Sequence, residues 1–456
     1  MRVAIVGAGA GGLSAAYDLA GAGAQVTVFE GADQVGGLAA GFKLPRWDWS
    51  VEKFYHHWFA SDAEVLRLAE ELGVRHKVTF PWPMTAAYHQ GRFYVLDGPL
   101  TAALPGPRWL DSLPGAGLLA RGLHAVRFPA LSLGDTLRYG WMGLYLTRTS
   151  NWKPLESQHA HEWLLQRSGA HGYQVLWQPL LEGKFGSHYR EVNMAWFWAR
   201  VKARTPRLGT FEGGFQAFLD VLADRVRTRG VDLRLRTPIQ RIEPTPEGPL
   251  RLRLNEGSET YDHCLVTTSP GLLAHLAPDL PRDYLQGLLS LRSMGSISLV
   301  LALRHQLSTR GFYWHNLPKS AGFPFLALVE HTNFVSPAFF GGDHLVYCGD
   351  YLDPDHEYFS LSQDELLERF LPALTRFNPS FEPGWVRESW LFRTPYAQPV
   401  PGIDHSLRIP PLETPLSGLW FASMSQVYPW DRGTNFAVQI ARQAAARILA
   451  ADSARS

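Results

Sequence analysis

The sequence predicts an α/β protein that begins with a parallel sheet buried on both faces. Three observations lead there. The uninterrupted apolar run Val3-Ala4-Ile5-Val6 enters a burst of glycines, a helix-like stretch follows, and a second apolar run, "QVTVFE", ends on Glu30. Strands without polar interruption belong to sheets covered by helices on both sides. At 456 residues the chain is long for one core. Domains usually run to ~100–200 residues, so two domains are expected, with a discontinuous boundary admitted.

The glycines read as G-x-G-x-x-G at Gly7, Gly9 and Gly12, with Ala8, Ala10 and Gly11 between them. The first allows the tight turn. The second, lacking Cβ, lets backbone amides approach a pyrophosphate, and the third lets the helix sit close to its strand. That helix, over roughly 11–22, turns its amides and the positive end of its dipole toward phosphates. Glu30 lies where a carboxylate accepts from ribose hydroxyls and disfavours a 2′-phosphate. The unit therefore reads as a Rossmann-type dinucleotide site, with a glycine-rich strand–helix joint that holds no ligand as the alternative.

A second glycine pair closes the stretch. "GADQVGGLAAGF" (31–42), with Gly31, Gly36 and Gly37, resembles the double-glycine continuation of FAD-binding oxidoreductases in the amine oxidase, protoporphyrinogen oxidase and phytoene desaturase superfamily. Relatives usually read Gly-Gly-Arg, and here Leu38 stands in place of the arginine. Three further stretches carry the resemblance. "TFEGGFQAFLDVLADRVRTRGVDLRLRTPIQRIE" (210–243) includes Pro238-Ile239, which the resemblance sets beside the adenine. "YDHCLVTTSP" (261–270), with Thr267, matches the strand and turn returning to the cofactor. "GLWFASMSQVYPWDRGTNFAVQIARQAAARIL" (418–449) matches the closing strand, loop and helix. There Gly433, Thr434 and Asn435 open a helix facing the flavin N1–C2=O region. Ser423 falls in "ASMSQ", where relatives have Gly-Asp or Gly-Glu. "YPWDRGTN" is similar to a bacterial protoporphyrinogen-oxidase-like subgroup.

The resemblance implies a fold of α/β plus α+β class. Its Rossmann-type FAD-binding domain is assembled from discontinuous segments, 1–55, 205–295 and 385–456. An inserted substrate domain with a mixed sheet and helices takes 56–204 and 296–384. Within it, "SDAEVLRLAEELG" (61–73) predicts a helix with Ser61 and Glu64 as a capping box and Gly73 as its stop. Residues 293–303 and 344–352 read as strands. Trp196 and Trp198 alternate as on one face of a strand, as pocket lining or as core. The apolar, arginine-dotted stretch 113–131 reads as a buried helix, with a channel lid or a membrane-surface patch as alternatives.

Candidates for chemistry follow from proximity to a flavin, which itself does the redox work. "WDWSVEKFYHHWF" (47–59) offers Lys53, Phe54, Tyr55, His56 and His57 as a wall, with His56 as a general base and aromatic packing as the alternative. "WLFRTPYAQPVPG" (390–402) offers Arg393 for a substrate carboxylate or phosphate, or for a backbone partner, and Tyr396 to cover one end of the ring. No metal site is expected: adjacent His56 and His57 diverge on a strand, and "HAHEWLL" has Leu165 where H-E-x-x-H needs its second ligand. Cys264, in an apolar run, reads as a buried hydrophobe.

A net charge of +1 gives no electrostatic case for nucleic acid. No signal peptide or ~18-residue apolar span is legible, so the expectation is a cytoplasmic protein, with peripheral membrane contact left open. The leading reading is a noncovalent FAD oxidoreductase removing hydride from a bulky, largely apolar or aromatic small molecule, such as a tetrapyrrole or isoprenoid. Dioxygen, a quinone or another acceptor would reoxidise it. The alternatives are a redox-neutral enzyme resembling UDP-galactopyranose mutase, which Arg200, Arg204 and Arg393 keep open; a flavin amine oxidase, disfavoured because 293–303 lacks the lysine that such enzymes place near the flavin; and a non-catalytic flavin scaffold. Lys184 or Lys53 could take that lysine's place.

Overall fold

The computed structural model describes residues 1–104, 106–113 and 115–454. Five parallel strands form one sheet in the order Asp232–Arg234, Gln25–Phe29, Arg2–Val6, His263–Val266, Leu419–Phe421. The apolar runs are uninterrupted because both faces are covered. On one face, Val3, Ile5, Val26, Val28 and Leu265 meet helices Ala10–Gly21, Phe215–Thr228 and Thr434–Ser453. On the other, Ala4, Val6, Phe29, Val266 and a buried Cys264 meet helix Pro270–Leu276 and an antiparallel sheet of Arg241–Pro244, Leu250–Arg253 and Ser258–Tyr261.

A seven-stranded mixed sheet forms the second layer system, in the order Val386–Pro399, Ser293–Leu303, His344–Leu352, Ala327–Glu330, Phe312–Asn316, Met84–His89, Arg92–Asp97. Strands 293–303 and 344–352 stand where their apolar patterns put them. Strand 386–399 runs antiparallel to 293–303 from Ser293↔Pro399 to Leu303↔Val386. The expected boundary at 385 assigns it to the cofactor side, yet its ladder makes it the edge of this sheet.

Three local expectations are corrected. Helix Ala63–Glu71 is not capped by Ser61, whose hydroxyl donates to the Ala203 carbonyl. Its first amides, Glu64 N and Val65 N, instead donate to Asn435 Oδ1 at 2.9 and 3.1 Å. Trp196 and Trp198 lie on a helix, Met194–Ala203, started by Asn193, whose side chain accepts from Trp196 N. Two residues on a helix are about 200° apart, so the two indoles diverge: Trp196 donates to Asp431 and Trp198 to the Thr149 carbonyl. The stretch 113–131 contains helix Ala116–Arg127, but only Ala116, Ala120 and His124, spaced four apart, are buried, with Leu123 packed beside them; Leu118 is 82% exposed.

Asn435 thus joins the last helix to one 370 residues earlier. Asn435→Ala is expected to destabilise the protein by about 1 kcal/mol, the usual worth of a cap. Ser61→Ala should cost less than half as much; urea unfolding of both variants measures the difference.

Candidate active site

The glycine turn lies at the carboxyl ends of the parallel strands. Gly7 has φ +106°, and a Cβ on Gly12 would sit 1.9 Å from the Gly7 carbonyl oxygen, so helix 10–21 could not start so close to its strand with any side chain there. The second glycine pair lies against the first. Gly36 N donates to the Ala8 carbonyl at 2.9 Å, Gly9 and Gly36 form a parallel bridge, and a Cβ on Gly37 would come within 3.4 Å of Gly9 Cα. Gly36 and Gly37 take φ +126° and +57°. Leu38 occupies the short turn Gly37–Ala39.

Glu30 ties this floor together. Its carboxylate accepts from Ala8 N at 2.8 Å and Ala32 N at 2.9 Å, and a carboxylate so held keeps acceptor sites on both oxygens. Its backbone joins Arg234 and Thr237. Pro238 lies 3.7 Å from where a Gly31 Cβ would be, with Ile239 buried beyond it. Thr267 N and Oγ1 donate to the Val6 carbonyl. Beside it, Thr268 Oγ1 is buried without a partner.

Two helix starts converge on this floor. Helix 10–21 is preceded by Gly9 and helix 434–453 by Gly433, and neither has a side-chain cap. Their neighbours do: helix 63–71 uses Asn435, and helix 215–228 receives the buried Glu52, which accepts from Phe215 N at 2.9 Å. A Cβ on Gly9 would meet nothing nearer than Gly36 O at 3.9 Å. The protein itself therefore does not demand glycine at position 9. Open space bordered by free helix amides fits a pyrophosphate.

Next to the second helix start lies a cluster of charge. Asp431 Oδ2 is 3.6 Å from Lys184 Nζ and 3.4 Å from Arg200 Nη1. Its Oδ1 accepts from Trp196 Nε1 at 3.1 Å, Gln398 Nε2 at 3.3 Å and Arg432 N at 3.1 Å. Arg432 reaches the other way, donating from Nε to Gln398 Oε1 at 3.0 Å and from Nη2 to the Tyr351 hydroxyl. Arg204 caps the group, 5.5 Å over the Phe59 ring. Burial alone would raise the Asp431 carboxyl; Lys184, Arg200, Arg432 and Arg204 outweigh it and hold it well below the ordinary carboxylate range. Burial pushes Lys184 well below its usual value despite Asp431, and burial with Arg200 pushes Arg204 down to about 9. Two basic side chains, Lys184 and Arg200, lie against the one carboxylate, and Arg432 and Arg204 act on it through charge.

Several expected residues meet this cluster. Tyr55 stands edge-on to Trp314 at 4.9 Å, with burial and Tyr351 raising its hydroxyl well above the usual value. His56 Nδ1 is 2.6 Å from the Phe54 carbonyl; burial, aided by Arg432, pushes the imidazole down to about 4. Burial and then Arg204 push His57 to about 3, and its Nδ1 is buried without a partner. Both rings are neutral at neutral pH. Tyr396 and Ser423 come together: the Tyr396 hydroxyl lies 2.8 Å from Ser423 Oγ and 2.6 Å from Ser425 Oγ, and burial raises it to about 12. Arg393 lies apart, exposed, donating to the Leu361 carbonyl. Gly433 and Thr434 stand at the last helix start, while Asn435 is turned toward helix 63–71. Asp431, Arg432, Gln398 and Tyr351 were not anticipated. Their one sequence signal is the Asp-Arg pair set directly before Gly433 in an otherwise apolar loop. No group of three His, Cys, Asp or Glu suited to a metal occurs among the described residues.

The family model described as flavin containing amine oxidoreductase matches residues 10–449, so the chain belongs to that family. It is 24% identical over 413 residues to 15-cis-phytoene desaturase of Narcissus pseudonarcissus, covering 83% of this chain and 66% of that one. A 46-residue stretch is 59% identical to the L-amino-acid oxidase of Sistrurus catenatus edwardsii, covering 10% of this chain and 9% of the relative. The matches thus span less than two thirds of these curated relatives. A solved structure from Exiguobacterium sp. 255-15, provisionally named a protoporphyrinogen oxidase, superposes with a TM-score of 0.73 at 17% identity over 98% of both chains; this likeness speaks for the fold. The cofactor that membership implies is FAD. The open space at Gly9, the free amides of two helices and the unpartnered Thr268 Oγ1 fit its pyrophosphate.

Gly9→Ala tests that fit without breaking the fold. The variant should keep wild-type circular dichroism and lose most of its FAD, read as flavin released on denaturation per mole of protein, because the new methyl fills only ligand space.

Proposed function

We propose that this member of the flavin containing amine oxidoreductases is an FAD-dependent oxidase or desaturase whose substrate joins a bulky apolar body to an acidic group. The observation that carries this is the surplus of the guanidiniums of Arg200, Arg204 and Arg432, with Lys184 beside them, over Asp431. Buried charge is costly unless paired, and a bound carboxylate or phosphate would supply the missing partner. Around it, Trp196, Phe59, Tyr351 and Tyr55 offer apolar rings. A carboxylated tetrapyrrole suits both features. In this reading the parallel-sheet domain holds FAD, and the seven-stranded sheet with helices 178–185 and 194–203 holds substrate.

When bound, FAD supplies the two-electron acceptor. The protein's part is position and electrostatics. Arg200 and Arg204 anchor the acidic group, Arg432 is fixed through Gln398 and Tyr351, and aromatic side chains exclude water. His56 and His57, kept neutral by burial, add no charge at the reacting face. A cationic amine would meet like charge here, which weighs against an amine substrate. The same cluster would accept a diphosphate, so a nucleotide-sugar mutase is the second reading.

Anaerobic titration of the flavoprotein separates these readings. A porphyrinogen bearing free carboxylates should bleach the flavin, its methyl ester should act far more weakly, and Arg204→Met should raise KM for the acid roughly 10–100-fold, the worth of a charged hydrogen bond. Turnover of a nucleotide sugar only after dithionite reduction would favour the mutase; no response to either class would overturn both substrate readings.

The cluster also predicts a pH dependence. Lys184 is depressed in the free protein, and a bound anion would raise it, so binding takes up a proton. Affinity for the acidic substrate should therefore fall as pH rises between the free and bound Lys184 values, by up to about one log unit per pH unit. The dissociation constant measured anaerobically across that window checks the sign, and the Lys184→Met variant should flatten it.

A further inference from the structure

We propose that helices Ala116–Arg127 and Leu133–Arg148 form a docking surface for an anionic lipid bilayer. The inference stands on their outer face and is independent of the substrate proposed above.

Helix 133–148 carries two apolar stripes. One, with Met142 and Leu146, is buried. The other, Leu133, Leu137, Trp141 and Leu144, recurs at i, i+4, i+8 and i+11 and is 69, 67, 50 and 49% exposed. A surface helix ordinarily turns polar residues outward; here a second hydrophobic face is left largely exposed, with Arg167 lying 5.9 Å over the Trp141 ring. Helix 116–127 extends it with Leu118 and Val126, and Trp109 lies just before, 61% exposed. Trp141 stacks on Tyr145 at 5.5 Å and 12°. With Leu144 and Arg148 they line an open groove. Apolar surface of this extent on a monomer marks an interaction site.

Charge selects the occupant. Residues 104–148 hold Arg108, Arg121, Arg127, Arg138 and Arg148 against two acids, Asp111 and Asp135, with Arg121 paired to Asp97 at 3.0 Å. Both acids are withdrawn: Asp111 accepts from Thr101 N and Oγ1, and Asp135 is buried in the capping box of its own helix. Among the described residues Arg108 and Arg148 have no carboxylate partner. Leucines and tryptophans beside arginines are the composition of a helix lying in a membrane interface, where anionic headgroups meet the cations. A second copy of the same face would bring arginine to arginine. No helix among the described residues is long and apolar enough to cross a membrane, so the contact is of the surface-lying kind.

The surface adjoins the site. Lys202 Nζ donates to the Thr147 carbonyl at 2.6 Å and Trp198 Nε1 to the Thr149 carbonyl at 3.0 Å, and their helix also carries Arg200. One helix therefore separates the bilayer-facing stripe from the cationic cluster.

The test is sedimentation of the full FAD-loaded protein with vesicles of phosphatidylcholine alone and of phosphatidylcholine mixed with phosphatidylglycerol. Binding to the anionic vesicles should exceed binding to the neutral ones and weaken with salt. The double variant Leu137→Glu/Trp141→Glu should reduce it at least ~10-fold, with flavin content and circular dichroism unchanged. Arg148→Glu, which leaves the apolar stripe intact, should reduce only the anionic preference. Wild-type protein that stays in the supernatant with both vesicles would overturn the proposal, as would a double variant that binds equally well. A concentration-dependent dimer, abolished by the double variant and unaccompanied by vesicle binding, would overturn it in favour of self-association.

Discussion

Everything in the candidate site depends on one crossing, where helix 10–21 meets helix 434–453 at a residue without a side chain. A Cβ on Gly11 would lie 3.1 Å from the Ala437 carbonyl oxygen and 3.4 Å from Ala441 Cβ. Two helices that close bring their positive dipole ends to one place, which is unfavourable on its own. Burial of Val438, Ala441, Ala444, Ala445 and Ile448 against the first helix and its sheet offsets the repulsion. So does Arg442, which donates to both oxygens of Asp18 at 2.8 and 3.0 Å and of Glu71 at 3.0 and 2.8 Å. The concentration of amides that remains is a standing demand for an anion.

The crossing also fixes the loop ahead of the last helix, and this is how Asp431 and Arg432 reach the side chains of four other elements. The cluster is a different kind of demand from the helix ends. Helix amides are partial charges that water can satisfy, whereas the guanidiniums of Arg200, Arg204 and Arg432 are full charges, partly withdrawn from water, with one carboxylate among them and Lys184 beside it, pushed well below its usual value by burial. Removing Asp431 would leave them uncompensated, a loss that typically costs about 3–5 kcal/mol for a buried pair. Asp431 therefore serves as the resting counter-charge of the site, and its hydrogen bonds from Trp196, Gln398 and the Arg432 amide hold it to one position.

The cofactor end was legible in the sequence because its signals are backbone requirements. Gly7, Gly12, Gly36 and Gly37 answer to φ or to a close approach, and the spacing to Glu30 is set by one strand–helix–strand unit. Strands 293–303 and 344–352 were legible because they are long and apolar. The cluster was not, since Lys184, Arg200, Tyr351, Gln398 and Asp431 lie up to 247 positions apart and share no period. Trp196-Phe197-Trp198 misled because two aromatics with one residue between them suit a strand, while Asn193 behind them starts a helix. Ser61 and Glu64 have capping-box spacing, but a capping residue from the far end of the chain took the place of the local one. The stretch 113–131 read as buried because composition does not say which stripe faces the core; small Ala116 and Ala120 do, and Leu118 and Leu119 do not.

The histidines follow from the same electrostatics. His57 is depressed by burial first and then by Arg204, with smaller contributions from His56, Arg200 and Lys184, and its Nδ1 has no partner. An imidazole held so low is a weak base, ill suited to take a proton from substrate in the free protein. A substrate anion lodged among those cations would cancel part of their field at the ring and raise its basicity, leaving burial as the main opposing effect. Binding and proton acceptance would then be coupled through charge alone, with no movement of the backbone. A neutral analogue of the same shape would fill the apolar space yet leave His57 as it stands in the free protein. In the proposed reading the cationic surplus would hold the acidic group and would add to the burial that keeps the His57 ring neutral in the free protein.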